Sequence, residues 1–373
     1  MSQEEKERER GVKLPPRYKI LTKSVRAGGF GTVIPLEDTF LRRVVLLKVM
    51  QDAANNAQIQ NELKGLCKAR SRHVVEVYDV IVNEKGEITG VVIERLRGRD
   101  FSAFHKEAAS NPQVYLKVLY QLACALRDFH AEGIVHRDLK PDNFKESAAG
   151  VVKLFDFGIS SSDGGYKTKQ NKGTLIYAAP ELYVPGATIT PEMDVYALGV
   201  CAWALARLQF PTQLLEKPPQ ASGRAPSIST VMPTADKHAD GLHKEVIDML
   251  DACLDPQPKN RPSADRISSM LARHLSRNKH RGLFVQDAQK VFELSVKQPS
   301  VTLKIGTLGR LKVTYDGLRF SIAEVEGSVS INNVPAVPGD VLHEACVLGF
   351  GDASLGSARQ WVTFFSSHPE VVL

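Results

Sequence analysis

Two different hydrophobic periods divide this 373-residue chain. Up to about residue 93 the texture is short apolar runs between turn residues. Tyr18 to Val25 alternates. Arg42 to Met50, R-R-V-V-L-L-K-V-M, reads as an apolar strand with one lysine, Lys48. Val75 to Val82 and Ile88 to Ile93 read as strands separated by the turn cluster N-E-K-G. Between Met50 and Val75, Ile59, Glu62, Leu63 and Leu66 fall at i, i+3, i+4 and i+7, so one helix face carries a carboxylate beside its apolar residues. From Tyr115 to His130 the period is helical, with Leu119, Leu122, Ala123 and Leu126 on one stripe and Gly133 as the stop. Lys244 to Leu254 and Ala264 to Leu275 read as further helices. Pro211 to Asp240, rich in proline, serine and alanine, reads as a surface loop. After about residue 298 the texture changes again. V-T-L-K-I-G, L-K-V-T-Y, R-F-S-I-A, S-V-S-I-N-N, V-L-G-F-G and W-V-T-F-F predict short strands between glycine, asparagine and proline turns. The predicted class is α+β, with a small all-β, sandwich-like unit at the end. The predicted divisions are a disordered tail at 1–12, a main domain at 13–275, a connector at 276–298 and the β unit at 299–373.

Composition narrows the class. Apolar residues make up 43% and charged residues 24%, ordinary values for a globular protein. The formal net charge of +6 suits anionic ligands but gives no reason to expect nucleic acid as a partner. Five scattered cysteines without a C-x-x-C favour reduced thiols and a cytoplasmic setting. The opening M-S-Q-E-E-K-E-R-E-R has no apolar core for a signal peptide. The longest greasy stretch, Val195 to Ala206, is too short to span a bilayer.

The chemistry concentrates between His136 and Gly158. The chain reads H-R-D-L-K-P-D-N from His136 to Asn143, then K-L-F-D-F-G from Lys153 to Gly158. Asp138 is placed as a base for a substrate hydroxyl. Asn143 and Asp156 offer two oxygen ligands to magnesium, a hard cation. Phosphoryl transfer needs mainly positioning and charge neutralisation, and this set supplies both. The spacing resembles the signature of the protein kinases. The resemblance covers roughly Tyr18 to His274. It implies a bilobal fold, with a β-rich lobe over 13–93, a hinge at 94–96 and a helical lobe over 97–275. It also implies ATP and Mg2+ as cofactors and a protein Ser/Thr hydroxyl as acceptor. Lys140 and Thr174 are the marks of the serine/threonine class.

The same resemblance assigns further residues. R-A-G-G-F-G-T-V, Arg26 to Val33, matches the glycine-rich loop, with Gly28, Gly29, Phe30, Gly31 and Val33 at the phosphates and base. Lys48 would hold the phosphates and pair with Glu62. Ile93 would be the gatekeeper, with Glu94 and Leu96 presenting backbone to adenine. Leu66, Val77, His136 and Phe157 would stack between the lobes. The polar run after Gly158, with Ser160, Ser161, Ser162 and Thr168, matches an activation loop whose phosphate Arg137 could receive. Glu181 of A-P-E would pair with Arg261, and Asp194 would hold the catalytic loop. Three positions depart from the family. Arg26 replaces a glycine, Leu46 an alanine over the adenine slot, and Lys145 the leucine of its floor. They keep open an alternative, a pseudokinase or scaffold with weak nucleotide binding. The β unit, through I-N-N and then G-D-V-L, is loosely similar to forkhead-associated domains, which read phosphothreonine. It lacks their serine-x-x-histidine, so a phosphopeptide-binding adaptor is a third reading and a regulatory or partner-binding module the preferred one.

Overall fold

The computed structural model describes residues 13–21, 26–28, 31–49, 63, 70–155, 174–223, 226–236, 241–287, 290–343, 345–367, 369 and 371. The chain divides near Leu271 and Ala272 into two compact units. The tail 1–12 predicted from composition lies outside the described residues.

The first unit begins with an antiparallel sheet. Its strands are β1 (Tyr18–Ile20), β2 (Arg26–Gly28), β3 (Gly31–Asp38), β4 (Arg43–Val49), β5 (Val77–Val82) and β6 (Ile88–Glu94), in the order β1-β3-β4-β6-β5 with β2 on β3. The period of two decides what each face does. Ile34, Leu36, Val45, Leu47 and Val92 point into a core completed by Tyr18, Ile20 and Ile81. Arg17 closes one end of it. Its guanidinium reaches both oxygens of the fully buried Asp38, at 2.8 and 2.7 Å, and holds that carboxyl well below the usual range.

The helices follow. Helix α1 (Pro112–Ala131) starts at Asn111, whose side chain accepts from Val114 N, with Pro112 at its first turn. It ends ahead of Gly133, which takes φ +72°. Its buried stripe contains the predicted Leu119, Leu122, Ala123 and Leu126. Helix α2 (Pro191–Ala206) is buried nearly all round, which its unbroken apolar run requires. Helices α3 (Lys244–Cys253) and α4 (Ala264–Leu275) follow, and single helical turns lie at His105–Ala108 and Thr212–Leu215. Among the described residues no helix is long and apolar enough to cross a membrane. The described parts of the segment 211–240, residues 211–223 and 226–236, are not the surface loop that composition suggests. Leu214, Ile228 and Met232 are buried, and buried Gln220 donates to the Leu254 carbonyl at 2.8 Å.

A two-stranded ribbon, β7 (Phe144–Glu146) with β8 (Val152–Leu154), carries the predicted chemistry. Strand β8 is tied down from two sides. Val152 N donates to Gln121 Oε1 of α1 at 2.9 Å. Buried His73 lies 3.1 Å from the Val152 carbonyl through Nδ1. A carbonyl only accepts, so Nδ1 must carry the proton. Burial pushes the His73 pKa down to about 4, from 6.5. The unfolded chain protonates near 6.5 and the folded one only near 4. The neutral histidine therefore contributes stability that is fully present above the upper value and lost as pH falls through that window, roughly 3 kcal/mol in all. Melting the wild type and His73→Gln from pH 7 to 4 should give a steeper fall for the wild type. Parallel curves would sink this account.

After α4 the regular structure described in the second unit is β apart from a 3-10 segment at Ala353–Ala358. It contains β9 (Gly282–Asp287), β10 (Lys290–Leu294), β11 (Ser300–Ile305), β12 (Gly309–Tyr315), β13 (Phe320–Gly327), β14 (Val329–Ile331), β15 (Val334–Pro335), β16 (Val341–Leu342), β17 (Ala345–Phe350) and β18 (Gln360–Ser366). They form antiparallel sheets in the orders β10-β9-β18-β17-β14-β15 and β11-β12-β13-β16. One core, including Phe284, Leu303, Leu311, Phe350, Val362 and Phe364, serves both. The connector predicted at 276–298 is thereby corrected. Strands β9 and β10 lie within it, and β9 pairs with β18, so the segment is part of the sheet.

Candidate active site

The cleft face of the first sheet follows from register. Val33 pairs with Lys48, and Leu46 pairs with Ile93. With Val45 and Leu47 buried behind, Val33, Leu46, Lys48 and Ile93 share the opposite face. These are four of the residues predicted around the nucleotide. Gly28 and Gly31 pair across the predicted glycine-rich turn. Gly29, Phe30, Glu62, Leu66, Asp156, Phe157 and the run 158–173 lie outside the described residues. So does the side chain of Thr174, whose backbone opens a short 3-10 turn, Thr174–Tyr177. Glu94 closes β6, and Leu96 follows it half-buried.

The loop from His136 to Asn143 is held from behind. Asp194, buried in the first turn of α2, accepts from His136 N at 2.7 Å and Arg137 N at 2.8 Å, with His130 Nε2 at 3.0 Å. Consecutive amides can converge on one carboxylate because Arg137 takes φ +69°, a left-handed conformation that costs about 1 kcal/mol or more. Those two hydrogen bonds offset it. Asp138 and Asn143 are buried in front. Lys140 Nζ reaches Asp138 Oδ2 at 2.7 Å. Asn143 Nδ2 donates to the Asp138 carbonyl at 2.7 Å and to Oδ2 at 2.8 Å. Three of the predicted residues thus meet around one carboxylate.

Lys145 lies half-buried on β7, directly opposite Lys153 of β8. Two cations on one face of a ribbon each need an acid. Asp100, just past the hinge, lies within the electrostatic reach of Lys145. Hydrogen bonds from Ser102, joined by the Lys145 ammonium, hold the Asp100 carboxyl below its ordinary range. Lys153 reaches Glu94 Oε2 at 2.6 Å. Sequence reasoning missed both acids' side chains, as well as Gln121 and His73 behind β8. A lone glutamine beside the apolar stripe of α1 was the one available signal. The predicted Glu181–Arg261 pair is formed with both nitrogens of the fork, at 2.7 and 2.8 Å.

The comparisons with known proteins agree with this geometry. Residues 21–271 match the family described as protein kinase domain. The serine/threonine-protein kinases drp72 of Corynebacterium efficiens are 32% identical over 192 residues, covering 48% of this chain and 36% of that protein. Serine/threonine-protein kinase PknE of Mycobacterium tuberculosis is 33% identical over 190 residues, covering 48% of this chain and 32% of the relative. PknD of the same organism is 34% identical over 183 residues, covering 46% of this chain and 27% of the relative. The chain therefore spans about a third of the length of the curated relatives it matches. A match over more than half of the sequence, on a fold that gathers the motif residues around Asp138, places this chain in the protein kinase family.

Proposed function

We propose that this chain is a serine/threonine protein kinase, transferring the γ-phosphate of ATP to a protein hydroxyl. The observation that carries the reading is the convergence of Lys140 and Asn143 on Asp138 Oδ2. That oxygen is occupied, so Oδ1 is left for an incoming hydroxyl and takes its proton as the hydroxyl oxygen bonds to the γ-phosphorus and the bond to the β–γ bridging oxygen breaks, releasing ADP. Lys140 brings a positive charge next to the reacting centre and offsets the charge of the transferred group. Lys48, opposite Val33 on the cleft face, positions the phosphates, with Glu62 as its partner.

The residues fit Mg-ATP. Both donations of Asn143 Nδ2 go to oxygens of Asp138, which turns Oδ1 outward as an oxygen ligand. Asn143 and Asp156 would hold the magnesium, whose contribution is neutralisation of phosphate charge. Ile93, Glu94 and Leu96 line the base, under a roof of Leu46 and over a floor of Lys145. The β-rich and helical parts of the first unit act as two lobes about this hinge. Incubation with labelled Mg-ATP and a generic basic substrate, with phosphosite mapping beside an Asp138→Asn control, tests the reading. Label transferred by the wild type alone supports it. Binding of ATP with no transfer returns it to a pseudokinase.

Lys145→Leu is expected to tighten ATP binding. The substitution lays apolar surface under the base and removes a cation opposite Lys153. One such side chain contributes roughly 1–2 kcal/mol, or about a tenfold lower Kd. Calorimetric titration giving unchanged or weaker affinity would mean that Lys145 contacts the nucleotide usefully.

The β unit, sandwich-like in its two sheets, acts in this reading as a regulatory or partner-binding module. A chain ending after Leu275 should then fold and label the generic substrate. One ending at Gln298 should aggregate, because it keeps β9 and β10 without β18 and leaves open strand edges. A dead but folded chain at Leu275 would make the module part of the catalytic unit.

A further inference from the structure

Lys153 is nearly buried, with 10% of its side chain exposed, and its ammonium lies 2.6 Å from Glu94 Oε2, itself 18% exposed. Glu76, mostly exposed, stands further off at 3.8 Å. A buried ion pair is costly to form, and removing one partner leaves the other uncompensated. Lys145, across the ribbon, is a second cation and cannot take the place of Glu94. The pair is therefore specific, and it joins two particular pieces of chain.

One piece is β8, which leads to Asp156. It has its own anchors, independent of Lys153. Val75 N donates to the Leu154 carbonyl at 2.9 Å, and Leu154 N to the His73 carbonyl at 2.9 Å. Gln121 and His73 hold Val152 from the other direction. The other piece is the hinge. Glu94 N donates to the Glu76 carbonyl at 2.9 Å. Beyond that residue the chain leaves the sheet, and Arg95 is exposed. Glu94 is also paired with Val45 of β4, and past it Gly98 N donates to the Glu146 carbonyl at 2.9 Å, so residues 95–97 run between two anchors and the ion pair steadies the first of them.

We propose that Lys153 is a positioning residue for the nucleotide. It fixes Glu94, and through it the peptide from Ile93 to Leu96 against which adenine docks. This rests on the kinase reading above. Because β8 keeps its other ties, loss of the ammonium falls on ATP affinity and spares the chemical step.

The test uses the full chain, with Kd for Mg-ATP by calorimetry, KM and kcat for transfer, and Tm. Lys153→Met should raise Kd and KM by about tenfold, the scale of one charge-assisted hydrogen bond, with kcat changed by less than about threefold. Lys153→Arg should restore affinity to within about threefold, since a guanidinium can also reach the carboxylate. The double variant Glu94→Gln/Lys153→Met removes both charges. It should recover Tm while keeping the weak Kd, and it decides the matter if Lys153→Met fails to fold. Unchanged Kd in Lys153→Met overturns the proposal. So does a double variant that regains affinity together with Tm, which makes the pair merely structural, or a fall in kcat at constant KM. If the wild type binds Mg-ATP without transfer, the kinase reading fails and Kd alone still decides the role of Lys153. If it binds no Mg-ATP, both fail.

Discussion

Asp138→Ala should lower phosphoryl transfer by about 10²–10⁴-fold, the range set by loss of a positioned general base. The protein should stay folded, because the loop hangs on a different carboxylate. Asp194 holds the amides of His136 and Arg137, and Asp138 takes no part in that. What the substitution removes is the acceptor shared by Lys140 and Asn143. Asn143 keeps its bond to the backbone carbonyl at 2.7 Å and so stays in place. A circular dichroism melt beside a transfer assay separates the two effects. A folded variant with more than about a tenth of wild-type turnover would remove Asp138 from the role of base.

Arg261→Ala should be strongly destabilising, at about 3–5 kcal/mol. The guanidinium is fully buried in its side chain, while Glu181 keeps 20% exposure. Beyond the two bonds to Glu181, its Nε donates to the Asp255 carbonyl at 2.8 Å and one terminal nitrogen to the Glu192 carbonyl at 3.0 Å. The group also stacks 4.9 Å over the Tyr196 ring. Alanine leaves the carboxylate without its partner and removes the guanidinium's donations to the carbonyls of Asp255, Glu192 and Pro256. Arg261→Lys should recover only part of the loss, since one ammonium cannot serve a fork and those carbonyls together. The exposed pair Lys244–Asp248, at 2.6 Å, is the control, and breaking it should cost less than about 1 kcal/mol. Urea denaturation of the three variants gives the comparison. Equal losses for the buried and the exposed pair would refute it.

The meeting of Asp138, Lys140 and Asn143 was legible because the proposed chemistry fixes both residue type and spacing. Asp138, Lys140 and Asn143 must meet within one turn of chain, and the sequence has to spell that out. The hinge clamp was not legible. Lys153 and Glu94 lie 59 residues apart, and a lysine in a strand reads as a solvated charge until its partner is seen. Gln121 and His73 act on backbone groups, which leave no mark in the sequence of the strand they hold. Of the six strands predicted after residue 298, β11 and β12 were legible because they alternate cleanly, and β18 because its run is aromatic and β-branched. Strands β9 and β10 were missed because both faces carry apolar residues. Leu283 and Val291 are exposed while Phe284 and Leu294 are buried, which blurs the period of two. The segment 211–240 escaped for the opposite reason. Leu214, Ile228 and Met232 are buried without any regular period, and composition alone then suggests a loop.

The pairing of β9 with β18 has a consequence for how the chain is made. Thr363, Phe364 and Phe365 sit opposite Val285, Phe284 and Leu283, so the first strand of the second unit needs the last one beside it. During synthesis the first unit can complete its core while the ribosome is still producing the second. Strand β9 can pair at once with β10, but it must wait for nearly the whole of its unit before β18, its other neighbour, exists. Contacts of such long sequence separation form slowly. A ribosome paused near residue 355 would thus display a finished first unit beside an open sheet edge, the state on which a chaperone would act.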